Sequence, residues 1–308
     1  MRDISYRGSG PYCYANCLAM MFGADAPDVA VIETVTGSPF GMQLPGGELP
    51  FFDAFGWNPD IGIGEALELL GWTATTSSDE DARGALERLR SAVAEGPVMV
   101  GPLEMGQLRY QPGMTGPIGA DHFLIVLALD AEWVTVHDPQ GYPYARIPVS
   151  EFTAAWQADT LDYGRPFTLR TNFVRHTPVD PKAAVVGALP RAIDRLSGKD
   201  VTDLLPGSLG NGDAARALAA RVGSGCDQQL REHLVHFAVR VGTRRLADAA
   251  TCLHSVGHTA AATIATEQAR LVGSLQYALV VGDDAGAADT LHTLASTYDE
   301  LRTALEGR

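Results

Sequence analysis

Lysine is almost missing from this chain. Of its 23 basic residues only Lys182 and Lys199 are lysines, and both lie beyond the segments where chemical motifs cluster, so Schiff-base catalysis has almost no nucleophile to use. Cysteine is scarce as well. Cys13, Cys17, Cys226 and Cys252, spread over 308 residues, do not make a disulfide framework, and reduced thiols in a cytoplasmic setting are expected. No apolar run approaches the roughly 18 residues needed to span a bilayer, and Met1-Arg2-Asp3-Ile4-Ser5 lacks the charged-then-apolar order of a secretion signal. There is no basic stripe with interleaved aromatics. With 37 acidic against 23 basic residues the formal charge is −14, so nucleic acid and membrane are not expected as partners, and an amine-bearing molecule suits the surface better. The chain also has no GxSxG, no HExxH, no Walker loop and no GxGxxG opening a helix after a strand. Cys252, His254 and His258, with His233 and His236, match no known zinc-finger spacing, and no metal or cofactor is expected.

What is present divides the chain in two. The length exceeds one compact core of ordinary size, and 46% hydrophobic with 19% charged residues is the balance of a soluble globular protein. Beyond about Pro178 the sequence becomes Ala/Leu/Arg-rich with helical period, and the prolines of Thr177-Pro178-Val179-Asp180-Pro181 disfavour a helix across that point. The expected domains are residues 1–178 and 179–308. In the first, periodicity predicts helices over 12–22, 27–35, 64–70 and 79–94, a strand over 97–100, and a hairpin whose arms are 123–128 and 133–136. Strands over 144–149 and 168–174, with a short helix between, complete an α+β domain with helices ahead of an antiparallel sheet. Two Gly/Pro-rich loops, 37–59 and 101–120, are long enough to be suspected of lining a site. The second domain reads as helices over 182–196, 213–222, 227–253, 258–281 and 285–305, the third of them long enough to break at Gly242, with glycines at 223, 257 and 282 where helices should stop.

Three separated residues form a chemical set. Cys13 follows Gly10-Pro11, which favours a helix start there, and the exposed N–H groups of a first turn stabilise a thiolate. A thiolate needs a histidine to hold and deliver its proton, and the histidine needs an acceptor to orient it. A tight turn near Asp130-Ala131 sets His122, in Asp121-His122-Phe123-Leu124, opposite Asp138 or Pro139 in Val136-His137-Asp138-Pro139, within reach of an imidazole–carboxylate bond. Asp121 and His137 are disfavoured because adjacent strand residues point to opposite faces. Cys17, one turn beyond Cys13 among Leu18, Met20 and Met21, reads as a core residue.

Cys13 with Cys17-Leu18-Ala19-Met20, His122-Phe123, and Val134 through Asp138-Pro139 resemble the active-site helix, His-strand and Asp-Pro segment of the papain-like cysteine peptidases that process bacteriocin leader peptides. The layout of a papain-like domain before an all-helical one is similar to the butirosin biosynthesis protein H family. That resemblance implies a papain-like fold followed by an all-α domain, with Cys13 as nucleophile, His122 as base and Asp138 as orienter. It also implies acyl transfer from a carrier-protein thioester onto a small-molecule amine acceptor in specialised (antibiotic) metabolism. A cysteine peptidase or amidase and a non-catalytic binding protein of the same fold are the alternatives, and a homodimer is compatible with either. The sequence departs from the peptidases at Arg7, where they place an oxyanion-hole glutamine, and at Tyr14, where they usually have glycine.

Overall fold

The computed structural model describes residues 5, 7–8, 10–78, 81–199 and 204–307, so the expected start of a helix at Asp79 and residues 1–4 lie outside the described residues. The fold is mixed α+β with an all-helical C-terminal region. Among the described residues no helix is long and apolar enough to cross a membrane.

The chain folds as two compact units, Met1–Val29 with Gly71–Pro178, and Ala30–Leu70 with Val179–Arg308. The expected boundary at 178/179 coincides with one crossing, but residues 30–70 belong to the second unit, not the first. The physical reason is apolar: Phe40, Met42, Leu44 and Phe52 bury themselves in the core of the C-terminal helices, beside Leu218, Leu246 and Leu294. Their segment read as a Gly/Pro-rich loop because its regular structure amounts to short pieces.

In chain order the elements are α1 (Cys13–Phe22), α2 (Val29–Val35), β1 (Gln43–Leu44), α3 (Pro59–Leu69), β2 (Trp72–Ser77), α4 (Ala82–Glu95), β3 (Val98–Glu104), β4 (Asp121–Leu129), β5 (Trp133–Asp138), β6 (Tyr142–Pro148), α5 (Val149–Gln157) and β7 (Leu169–Arg175). Then follow α6 (Pro181–Leu196), β8 (Leu209–Gly210), α7 (Asn211–Gly223), α8 (Gln228–His233), α9 (Val239–Ser255), α10 (Thr259–Val281) and α11 (Asp284–Leu305).

The first unit is built on a six-stranded antiparallel sheet of order β2-β7-β3-β4-β5-β6. Strand β2 escapes the sequence pattern because it is an edge strand with a single buried side chain, Trp72, stacked on Phe22 at 4.3 Å. Side chains alternate across the sheet. Leu124 and Val126 of β4 share a core with Leu89 of α4 and Trp156 of α5, whereas the preceding Phe123 meets Tyr14 of α1 edge-on at 6.1 Å. Helix α1 therefore packs on the opposite face from α4 and α5.

Local chemistry sets the ends. Asp81 caps α4 by accepting the N–H of Gly84 at 2.9 Å. Asn58 caps α3 in the same way, accepting from Ile61 at 3.1 Å, with Pro59 in the first turn, so this helix begins five residues earlier than the periodicity alone suggests. In the second unit the break expected at Gly242 falls instead at residues 234–238, a π-helical turn between α8 and α9. Gly242 lies inside α9, where a Cβ would stand 2.4 Å from the Cβ of Phe52: it serves close approach, not termination.

Candidate active site

Cys13 opens α1. The residue before it, Tyr12, is buried and held in the left-handed region at φ 85° and ψ 46°, a conformation that costs a non-glycine residue energy and collects at functional sites. Two bonds hold it there. The backbone N–H and the side-chain Nδ2 of Asn16 both donate to the Tyr12 carbonyl, each at 2.9 Å. Upstream, the N–H of Gly10 donates to the carbonyl of Pro139 at 3.4 Å, which ties the approach to Cys13 to the residue after Asp138. Cys13 is partly exposed, whereas Cys17 is fully buried. Burial first, then the neighbouring Cys13 and Asp138, push the Cys17 thiol well above its usual range. A thiol held protonated in apolar surroundings is inert.

His122 is the second residue of β4 and Asp138 the last of β5. The ladder pairs Ile125 with His137 and Val126 with Val136; continued one step, that register sets Leu124 opposite Asp138 and leaves His122 diagonal to it. The expected directly opposite pairing is thus shifted, because the turn is centred near Ala131-Glu132, with Leu129 opposite Val134, rather than near Asp130-Ala131. Diagonal neighbours remain within reach of long side chains. His122 Nε2 donates to Asp138 Oδ1 at 2.7 Å, with both side chains buried. Cys13 lies close enough to His122 to favour its protonated form. The structure thus brings together all three residues singled out in the sequence.

Two further residues, which sequence reasoning missed, complete the carboxylate's surroundings. Tyr110 Oη donates to Asp138 Oδ2 at 2.6 Å and Gln111 Nε2 to the same oxygen at 2.7 Å. The N–H of Gln140 donates to Oδ1 at 2.8 Å. Tyr110 and Gln111 belong to the loop between β3 and β4, whose path is fixed by the buried carboxylate of Glu104. That carboxylate accepts the N–H groups of Gly106 at 2.9 Å, Ile118 at 3.0 Å and Gly119 at 3.0 Å, and the hydroxyl of Thr160. Burial raises the Glu104 pKa, and these bonds outweigh it, holding the group below the carboxylate norm.

The same competition governs the pair. Burial pushes Asp138 up, and the charge of His122 with the bonds from His122, Tyr110 and Gln140 more than offset it, leaving the carboxyl below its ordinary range. Burial pushes His122 down, while the charge and hydrogen bond of Asp138 and the contact with Cys13 raise it well above its ordinary value. His122 is therefore set to carry a proton beside a thiol, oriented by a carboxylate that stays ionised.

Two other histidines have structural partners. His137 Nδ1 accepts the N–H of Tyr144 at 3.2 Å, and His233 Nε2 bonds the carbonyl of Pro50 at 2.7 Å, with its pKa lowered by burial. Among the described residues no group of three or more His, Cys, Asp and Glu side chains is arranged to hold a metal ion.

Fold and site together define a two-unit α+β protein with an all-helical C-terminal region and a cysteine–histidine–aspartate cluster on its first unit. Comparison with known proteins adds two likenesses. Residues 205–306 match the model of the YobF C-terminal domain. Over 314 positions the chain is 26% identical to the uncharacterized protein YobF of Bacillus subtilis (strain 168), and the alignment covers 97% of each chain.

Proposed function

We propose that this chain is a cysteine-dependent acyltransferase whose first unit has a papain-like fold, with Cys13 as nucleophile, His122 as acid and base, and Asp138 as orienter. The observation that carries the reading is the buried His122–Asp138 bond of 2.7 Å, with Cys13 at the head of α1 close enough to favour the protonated imidazole.

The Cys13 sulfur attacks the carbonyl carbon of an acyl thioester, the C–S bond to the donor breaks, and the departing thiolate takes the proton from His122. An amine then attacks the acyl-Cys13 carbonyl. His122 accepts the amine proton, the bond to Sγ breaks, and the amide leaves with Cys13 restored. Position 7 bears on the donor type. Arg7 Nη2 donates to the carbonyl of Gly23 at 3.5 Å, at the far end of α1 from Cys13, so this side chain does not serve an oxyanion there. A thioester carbonyl is more electrophilic than an amide and its thiolate leaves without help, so it depends less on such a donor than peptide cleavage does. The expected partners are an acyl carrier protein as donor and a small-molecule amine as acceptor. The chemistry requires a reduced Cys13 and hence a reducing compartment such as the cytoplasm.

The test is incubation with a pantetheine acyl thioester in the presence and absence of an added primary amine. Amide formed by wild type and lost in Cys13→Ala supports transfer. Free acid released at the same rate with or without amine supports the hydrolase, and turnover by neither supports a binding protein.

A further inference from the structure

Asp138 takes at least four hydrogen bonds, and these are divided between its two oxygens. Oδ1 meets His122 at 2.7 Å and the N–H of Gln140 at 2.8 Å, while Oδ2 is held by the Tyr110 hydroxyl at 2.6 Å and the Gln111 amide at 2.7 Å. The orienting of a histidine by a carboxylate needs only the first of these. The Oδ2 pair comes from a different part of the chain, the loop that Glu104 pins, and the Tyr110 ring is itself braced edge-on against Tyr142 at 5.7 Å. A phenol that donates its proton to a buried carboxylate across an O···O distance of 2.6 Å draws electron density toward Oδ2 and away from Oδ1, the oxygen that grips the imidazole.

We propose that Tyr110 is a positioning residue for this site. Its hydroxyl, with Gln111 beside it, fixes the Asp138 carboxylate so that Oδ1 alone faces His122, and it takes a share of the charge so that His122 can release its proton to the departing thiolate. This rests on the acyl-transfer reading above. Without the sharing, Asp138 would hold the imidazolium too tightly for the proton to move. Tyr110 can remain a donor throughout, because burial and then Asp138 keep its phenol protonated well beyond the usual range. The titratable groups on the elements around His122 include Cys13, Tyr14 and Cys17 of α1, Glu104 of β3, its strand neighbour Asp121, which accepts from Tyr163 at 2.6 Å, His137 of β5, Arg170 and Arg175 of β7, and Asp138 itself. Of these, Asp138 and Cys13 are the ones that raise His122, and Tyr110 touches only the first.

The experiment is a proton-NMR titration of the His122 imidazole in wild type, Tyr110→Phe and Gln111→Ala, with iodoacetamide alkylation rates of Cys13 and Cys226 measured on the same wild-type sample. Tyr110→Phe keeps the ring against Tyr142 and removes only the proton. Its His122 midpoint is expected to rise by about half to one pH unit, and Gln111→Ala is expected to move it in the same direction. A midpoint that stays or falls in both variants overturns the proposal while a fast-alkylating Cys13 leaves the acyl-transfer reading in place. A Cys13 that alkylates no faster than Cys226 overturns that reading, and the positioning role with it.

Discussion

Asp138 is where the sequence pattern and the physics of burial meet most closely. An ionised carboxylate with no exposed surface is costly, and it is held in this state by donors from Tyr110, Gln111, Gln140 and His122, the last with a raised pKa. His122 and Asp138 were legible because hairpin spacing is arithmetic, and Cys13 because a Gly-Pro pair precedes it. Tyr110 and Gln111 were not, because they lie in a loop whose path depends on Glu104, a contact that no local pattern encodes. The sign of the pair's contribution is definite. Asp138, with a lowered folded pKa, stabilises above its unfolded value of about 4, and this is lost as pH falls through the folded value. His122, with a raised one, stabilises below its unfolded value of about 6.5, and this is lost as pH rises through the folded value. Asp138→Asn is therefore expected to cost about 3 kcal/mol near pH 5 and progressively less towards alkaline pH, as read by urea denaturation. Its His122 NMR midpoint should fall, opposite to Tyr110→Phe. A stability difference that grows on going alkaline would contradict the pairing.

At the scale of elements, the ends of helices were read unevenly: α10 stops just before Gly282 as expected, whereas the Asn58 cap that starts α3 was not seen. Asp81 and Gly96 bound α4 as cap and stop. Gly242 looked like the same kind of stop, yet α9 runs through it and the irregular turn comes earlier, at residues 234–238. The missing Cβ at 242 is what lets Phe52 approach, and the pairing of those two residues spans 190 positions of sequence, beyond any window of periodicity. Strand β2 was missed for a complementary reason: one exposed edge and a single buried tryptophan leave almost no alternation to see. Gly242→Ala would gain about 1 kcal/mol in helix propensity and lose about 1–3 kcal/mol in overpacking against Phe52. Net destabilisation by thermal denaturation is expected, and a variant more stable than wild type would show that Phe52 does not pack there.

For the whole molecule, composition located the change to an all-helical region at 178/179, but it could not reveal that the second unit begins again inside the first. The buried cluster of Arg245 with Glu33 at 2.7 Å and Asp53 at 3.3 Å lies within that second unit, and one side of it comes from residues 30–70. A fragment of residues 1–178 would carry Phe40, Met42, Leu44 and Phe52 without the helices that bury them, together with Glu33 and Asp53 without Arg245. It is expected to aggregate or to unfold without a cooperative transition, whereas the full chain unfolds cooperatively. A monomeric fragment with a sharp thermal transition would show that residues 30–70 do not depend on the helical region. The likeness to the Bacillus subtilis protein over 97% of both chains spans both units.

The central claim is that Cys13 carries the acyl group, and intact mass spectrometry with peptide mapping tests it most directly. After brief exposure to a pantetheine acyl thioester without amine, wild type should gain the mass of one acyl group on the peptide containing Cys13, and Cys13→Ala should gain none. An adduct that persists in Cys13→Ala, or that maps to Cys17, would contradict the account.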